Sequence, residues 1–251
     1  MIKIARIDGD GIGKEVTEAG VAVLESLDLN FDFVEAEAGR ECFDKNGTTI
    51  PEETIRTAKN AKATLFGAIT STPGQKSPII TLRQELDTYA NLRPIKSFKG
   101  IDCLFDDLDF LIVRENTEGL YSGNETIDDE NSKAIAQRVI TKKASERISK
   151  LAFEEAIKLE KESVTCVHKA NVLKKTDGVF IGIMPRNWLK EPRKPNNRSS
   201  SHIPSTMNTK TATSLGSFVA TITNVGNLST WKMLSMATTS LTDTQIHRNT
   251  R

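Results

Sequence analysis

The residues best suited to chemistry lie in the run Leu111-Ile-Val-Arg-Glu-Asn-Thr-Glu-Gly-Leu-Tyr121. Leu111 to Val113 read as the end of a buried strand. Arg114, Glu115, Asn116, Thr117 and Glu118 follow at once, Gly119 breaks the run and Tyr121 closes it. A strand end that delivers a cation, two carboxylates, an amide and a phenol to one place is where an α/β protein commonly builds a site. The bland alternative, a polar strand exit with a surface ion pair, is as good for this stretch alone. Two further clusters tip the balance: Arg83 with Tyr89-Ala-Asn-Leu-Arg-Pro94 upstream, and His168-Lys-Ala-Asn-Val-Leu173 downstream.

These words, with Gly9-Asp-Gly-Ile-Gly13 and Thr176-Asp-Gly178, occur in an order and at a spacing that resemble the β-decarboxylating dehydrogenases, the family of isocitrate, homoisocitrate, 3-isopropylmalate and tartrate dehydrogenases. The resemblance runs from residue 1 to about residue 180. It implies a layered α/β fold of the isopropylmalate-dehydrogenase type, distinct from a standard Rossmann fold, with an atypical or truncated C-terminal part. It also implies NAD- or NADP-dependent oxidation of a 2-hydroxy acid bearing a second carboxylate, followed by loss of CO2 and protonation of the enolate.

By the same resemblance Arg83, Arg93 and Arg114 bind substrate carboxylates, a task for which the guanidinium fork is matched. Lys169 is the base that takes the hydroxyl proton and Tyr121 the acid that protonates the enolate. Ile69, Thr70 and Asn171 lie near the nicotinamide. Ser77 opens the helix that selects substrate, and Lys76, Ile79 and Ile80 around it fit an isopropylmalate-like or homoisocitrate-like pocket better than a strict isocitrate pocket. In the family Lys169 and Asn171 reach the partner subunit's site, which implies a homodimer. A Mg or Mn ion is also implied, yet the aspartates that would bind it find no counterpart, so no metal ligand is named. His168 is read as structural. The competing reading is an inactive remnant that serves at most as an interaction protein.

The elements that must position these residues alternate. Strands are expected over Ile2–Ile7, Asn30–Glu37, Ala63–Ala68, Leu108–Val113, Ala134–Ile140 and Val164–Val167. Helices are expected over Lys14–Leu27, through Thr54, Ile55 and Ala58 behind Pro51, over Ser77–Thr88, and over Ala144–Lys161. On the first helix Val16, Ala19, Val23, Leu24 and Leu27 form the expected core stripe. On the last, the stripe is Ile148, Leu151, Ala152, Ala156 and Leu159. Alternation of this kind predicts an α/β layered fold. The glycine loop is spaced Gly-x-Gly-x-Gly rather than Gly-x-Gly-x-x-Gly, so it reads as a tight turn bordering a cleft rather than a pyrophosphate cradle.

The chain has 251 residues, 37% hydrophobic and 27% charged, as expected of a soluble globular protein. No apolar run approaches the ~20 residues of a membrane helix, and the N-terminus lacks a signal-peptide pattern. Cys42, Cys103 and Cys166 have no metal-type spacing and suggest free thiols in a reducing cytoplasm. The net charge of +1 conceals a split: residues 1–180 hold 31 acidic and 25 basic residues, residues 181–251 hold 2 and 9. The domains expected are 1–98, 99–180 and an atypical Ser/Thr-rich basic tail, 181–251, of the kind a frameshift produces. In that tail 21 of 71 residues are Ser or Thr. Leu215–Thr223 could be a strand, but the tail as a whole is expected to pack poorly against the first 180 residues. Basic clusters are too few to suggest nucleic-acid binding.

Overall fold

The computed structural model describes residues 1–102, 107–190, 206–211 and 219–223. The chain divides into two compact units, Met1–Thr88 and Tyr89–Arg251.

The first unit is built on a parallel sheet. Its strands are β1 (Ile2–Ile7), β2 (Phe31–Glu35) and β3 (Ala63–Phe66), in the order β2-β1-β3. The alternating run Ile-Lys-Ile-Ala-Arg-Ile becomes the central strand, and Ala5 and Ile7 are fully buried. Helices α1 (Ile12–Glu25), α2 (Arg40–Asn46), α3 (Glu52–Asn60) and α4 (Pro78–Glu85) complete the unit. Ile55, Ala58 and Leu82 close its core against Ala5 and Ile7. Because β2 and β3 lie on opposite sides of β1, the strand order reverses between β1 and β3. The carboxyl ends of that pair form the crevice where open α/β sheets bind ligands.

Helix α1 packs in a different phase from the one expected. Gly13, Thr17 and Val21 are its buried residues, whereas Val16 is 60% and Val23 64% exposed. The reason is close approach. A Cβ on Gly13 would stand 2.5 Å from the Ala68 carbonyl oxygen, and one on Gly20 would touch Leu65. The small face goes inward because only small residues fit there, and the larger apolar stripe is left at the surface of the unit.

The second unit holds a five-stranded mixed sheet. Its strands are β4 (Ala90–Lys96), β5 (Asp109–Glu115), β8 (Ser163–His168), β9 (Thr206–Thr211) and β10 (Val219–Thr223), in the order β4-β5-β10-β8-β9. A separate hairpin joins β6 (Glu125–Ile127) to β7 (Ala134–Ala136), shorter than the strand expected over Ala134–Ile140. Helices α5 (Lys142–Lys158) and α6 (Thr176–Lys190) cover one face of the sheet. There Leu111, Val113, Val164, Cys166 and Ala220 meet Ile148, Ala152, Phe153, Phe180 and Met184. On the opposite face Phe110, Ile112 and Val167 cluster.

Three expectations are corrected. The division falls at Thr88/Tyr89 rather than at residue 98, because β4 pairs antiparallel with β5 along its whole length. Residues 181–190 continue α6 and do not begin a structureless tail. Within the tail, β9 pairs with β8, while β10 pairs with both β5 and β8. In β10 Ala220 is 1% exposed. The other tail residues lie outside those described. The large buried rings carry the second core, so Phe153→Ala should cost that unit about 3–5 kcal/mol. Val23→Ser on the exposed stripe should stay within about 0.5 kcal/mol. Urea denaturation of the two variants measures both.

Candidate functional site

In the first unit the glycine loop is fastened to the segment after β3. Gly9 has φ +75°, and a Cβ there would stand 2.1 Å from the Ala68 carbonyl oxygen. The Asp10 amide donates to that same oxygen at 2.8 Å. The Asp10 carboxylate is buried and accepts from three backbone amides: Thr70 (2.7 Å), Arg40 (2.9 Å) and Glu41 (2.8 Å). Burial alone would raise its pKa. The three amides and Lys14 outweigh that and hold the carboxyl below its ordinary value. The expected cofactor residues Ile69 and Thr70 therefore stand at the crevice between β1 and β3, half-buried and exposed respectively.

Beside the glycine loop a cleft of about 310 Å³ opens among Arg6, Asp8, Lys14, Glu37, Glu41 and Lys45. Its cations are closed by its own carboxylates in the pairs Arg6–Asp8, Lys14–Glu41 and Lys45–Glu37. Ser77 is the N-cap of α4, with Pro78 at the first helical position; its hydroxyl makes no capping bond. Ile79, Ile80 and Arg83 follow half-buried on this short helix, and Lys76 is exposed.

In the second unit β4 and β5 bring Arg93, Arg114 and Tyr121 together. Asn91 stands directly opposite Arg114 in the ladder, and Arg93 opposite Ile112. With a side-chain period of two, Asn91, Arg93 and Arg114 share one face. The Arg114 guanidinium donates to the Tyr121 hydroxyl and lies 5.0 Å from the centre of its ring. Arg93 Nε donates to Asn91 Oδ1 at 3.1 Å. Burial, and then the like charge of Arg114, lower the Arg93 pKa. No carboxylate among the described residues opposes Arg93 as an ion-pair partner. Two guanidiniums on one face, one of them held against burial and like charge, form a place that favours an anion.

The two glutamates of this stretch do other work. Glu115 is fully buried on the helix side of β5. It accepts from the amides of Thr117 (3.0 Å) and Glu118 (2.6 Å), from the Thr117 hydroxyl (2.8 Å) and from Arg147 (3.4 Å). Arg147 in turn lies 4.4 Å from the centre of the Tyr89 ring. Glu118 accepts from the amide and hydroxyl of Thr141, the N-cap of α5. Both carboxylates thus shape the strand exit and are not presented to a ligand.

Lys169 and Asn171 lie on the turn after β8, half-buried and exposed. The Lys169 amide donates to the fully buried Asp177 at 2.7 Å, and Asp177 is paired with Arg138. His168 Nδ1 accepts from the Ala170 amide at 3.1 Å. Arg138 and Arg147 escaped sequence reasoning, because a single arginine carries no signal of its burial. Asp10 and Asp177 sat inside quoted motifs without a role. Cys42 and Cys166 are free and buried, and burial pushes the Cys166 thiol up. Cys103 lies outside the described residues. Among the described residues no group of three or more His, Cys, Asp or Glu side chains could hold a metal ion. These residues do not offer a divalent ion a ligand set, and no step is derived through one.

A family model for isocitrate/isopropylmalate dehydrogenase matches residues 3–190, ten residues beyond the expected end of the resemblance. The chain belongs to the isocitrate/isopropylmalate dehydrogenase family. It is 53% identical over 179 residues to a 3-isopropylmalate dehydrogenase of Methanothermobacter thermautotrophicus, covering 71% of this chain and 53% of that protein. It is 49% identical over 199 residues to a homoisocitrate dehydrogenase of Methanocaldococcus jannaschii, covering 73% and 56%. The crystal structure of isocitrate dehydrogenase from Methylococcus capsulatus superposes with a TM-score of 0.75 at 36% identity, covering 84% of this chain and 60% of that one. The chain spans about half the length of the curated relatives it matches. No described helix is long and apolar enough to cross a membrane.

His168 gives a pH prediction for this family member. Burial lowers its pKa, and the nearby Asp177 only partly offsets that. The unfolded imidazole titrates near 6.5. As pH falls below that value the unfolded state takes a proton that the folded state refuses, so stability should drop until the lowered folded pKa is passed. Thermal unfolding between pH 7.5 and pH 5 should show this loss, and His168→Asn should flatten it.

Proposed function

We propose that this chain carries the substrate-binding half of a nicotinamide-dependent decarboxylating dehydrogenase. Its substrate is a 2-hydroxy acid with a second carboxylate. The observation that carries the reading is the juxtaposition of Arg93, Arg114 and Tyr121 on one face of the second unit. Two guanidiniums suit a carboxylate, and a phenol held by one of them suits the task of giving a proton to the enolate carbon. Arg83 would serve the second carboxylate and Ser77 with Ile79 and Ile80 the substrate's side chain. That pair of isoleucines offers apolar contact to the isopropyl group of 3-isopropylmalate or to the extra methylene of a homoisocitrate-type acid, which favours those two over isocitrate. Matched relatives are named for 3-isopropylmalate, homoisocitrate and isocitrate, so they support the class of acid and the choice within it rests on the isoleucine pair.

Lys169 is the base for the hydroxyl proton, and Ile69, Thr70 and Asn171 serve the nicotinamide. The cofactor is NAD or NADP. It supplies the hydride acceptor; the residues named bind, orient and move protons. In this reading two copies of the chain assemble, each lending Lys169 and Asn171 to its partner's site. A second reading, an inactive remnant acting at most as an interaction protein, is favoured by one observation: the family match ends at residue 190, although the chain runs on to residue 251.

Calorimetric titration with 3-isopropylmalate, homoisocitrate and isocitrate separates these readings. The substrate-binding reading expects the first two to bind more tightly than isocitrate. Arg114→Ala should weaken binding by about 1.5–3 kcal/mol, roughly ten- to a hundredfold. In a chain whose residues after 190 are replaced by the family's own sequence, Lys169→Met should lower kcat while leaving substrate affinity nearly unchanged. Binding of none of the three acids would leave the remnant reading standing, and an unaffected kcat in Lys169→Met would remove Lys169 from its role.

A further inference from the structure

The site in the first unit contains an anion of its own. The amides of Thr70, Arg40 and Glu41 converge on one point from two segments far apart in sequence. Converging amides of this kind form a nest that commonly binds a phosphate or carboxylate ligand. Here the nest is filled by the Asp10 carboxylate, with Oδ2 taking Thr70 and Arg40 and Oδ1 taking Glu41. The fit is tight: a Cβ on Gly39, which has φ +114°, would stand 2.4 Å from Asp10 Oδ2. Asp10 therefore reaches from the glycine loop to both the start of α2 and the segment after β3.

We propose that Asp10 is a positioning residue, a built-in anion that sets the geometry of the Ile69–Thr70 segment by occupying this nest. The inference rests on the reading above for its link to a nicotinamide, but its structural claim stands without it. The nest accounts for the departure from a dinucleotide fingerprint. The glycines bring two backbones together, and the positive potential of the amides is spent on a side chain, leaving none for a pyrophosphate. Asp10 lies near Lys14 on α1, itself paired with Glu41 and close to Asp8. Losing the Asp10 charge would leave three inward-facing amides without an acceptor, and the segment bearing Thr70 would lose its fixed register.

The test is hydrogen exchange on the full chain and on two variants, with sodium formate or sodium chloride added at equal ionic strength. In Asp10→Ala the amides of Thr70, Arg40 and Glu41 should exchange at least about tenfold faster, while those of β5 keep their protection. Formate should refill the nest and restore protection with a saturable dose dependence; chloride should not. Should Asp10→Ala fail to fold, Asp10→Asn carries the test. The native chain should lose protection at these three amides as acid neutralises Asp10, whereas the Asn variant should be less protected throughout and show no such step. Unchanged protection in Asp10→Ala, equal effects of formate and chloride, or the same acid step in Asp10→Asn would overturn the proposal. NADH fluorescence titration separates the two readings. Weaker uptake by Asp10→Ala, repaired by formate, supports the positioning role; equal uptake by variant and native chain overturns it. If the native chain takes up no NADH, the dehydrogenase reading fails while hydrogen exchange still decides the role of Asp10.

Discussion

A carboxylate without exposed surface sets the shape of the second unit's site. Glu115 ends β5 pointing at the helices, and the backbone beyond it must turn at once. By taking the amides of Thr117 and Glu118 together with Arg147, it meets the hydrogen-bonding needs of a strand exit that has left the ladder. A buried charge is tolerable only when it is paired and fully bonded, so each partner is constrained in turn. Arg147 is fixed on α5 and over Tyr89, at the doorstep of β4. Glu118 is carried to the N-terminus of α5, where Thr141 meets it. Arg114, one residue before Glu115, is thereby directed to the opposite face, toward Arg93 and Tyr121. On β5 itself the two charged residues divide by parity: Arg114 lies on the face it shares with Arg93, and Glu115 on the face that packs against the helices.

The first unit solves a similar problem with backbone rather than buried charge pairs. Glycines at 9 and 13 let the loop after β1 lie against Ala68, and Asp10 secures the contact. That close approach also decided how α1 packs. Its small residues face the sheet, and its large apolar residues, which a helical wheel would send to the core, are left outside.

Most of the element order was legible in the sequence. β1, β2, β3, β5, β8, the helix behind Pro51 and the helices expected over Ser77–Thr88 and Ala144–Lys161 fall close to where apolar periodicity and proline put them. The losses have physical causes. β4 was missed because Arg93-Pro94 interrupts its pattern, yet as an edge strand it tolerates a proline. Helix α6 begins in a motif read only for its resemblance and runs on into the region where composition changes. The stripe on α1 failed because periodicity gives a helix a face but cannot weigh size against close approach. The clustering of Arg93, Arg114 and Tyr121 was anticipated through motif order. The buried partners that hold the site in place, Arg138, Arg147 and Asp177, were not, since nothing in an isolated arginine or aspartate tells whether water will surround it.

The placement of β10 has a consequence for how the protein comes into being. This strand occupies the middle of the five-stranded sheet, between β5 and β8, but it is the last of the described strands in chain order. While the chain is being made, β5 and β8 stand as two open edges with no neighbour to join them, and such edges are prone to pair with other molecules. The first unit, whose strands all lie within its first 66 residues, can close long before then. The second must wait for residue 223, and its sheet forms by long-range closure, the slow kind. The topology thus lets the first unit complete its sheet from a short early stretch of chain, while the second sheet closes only around a strand that comes late in sequence.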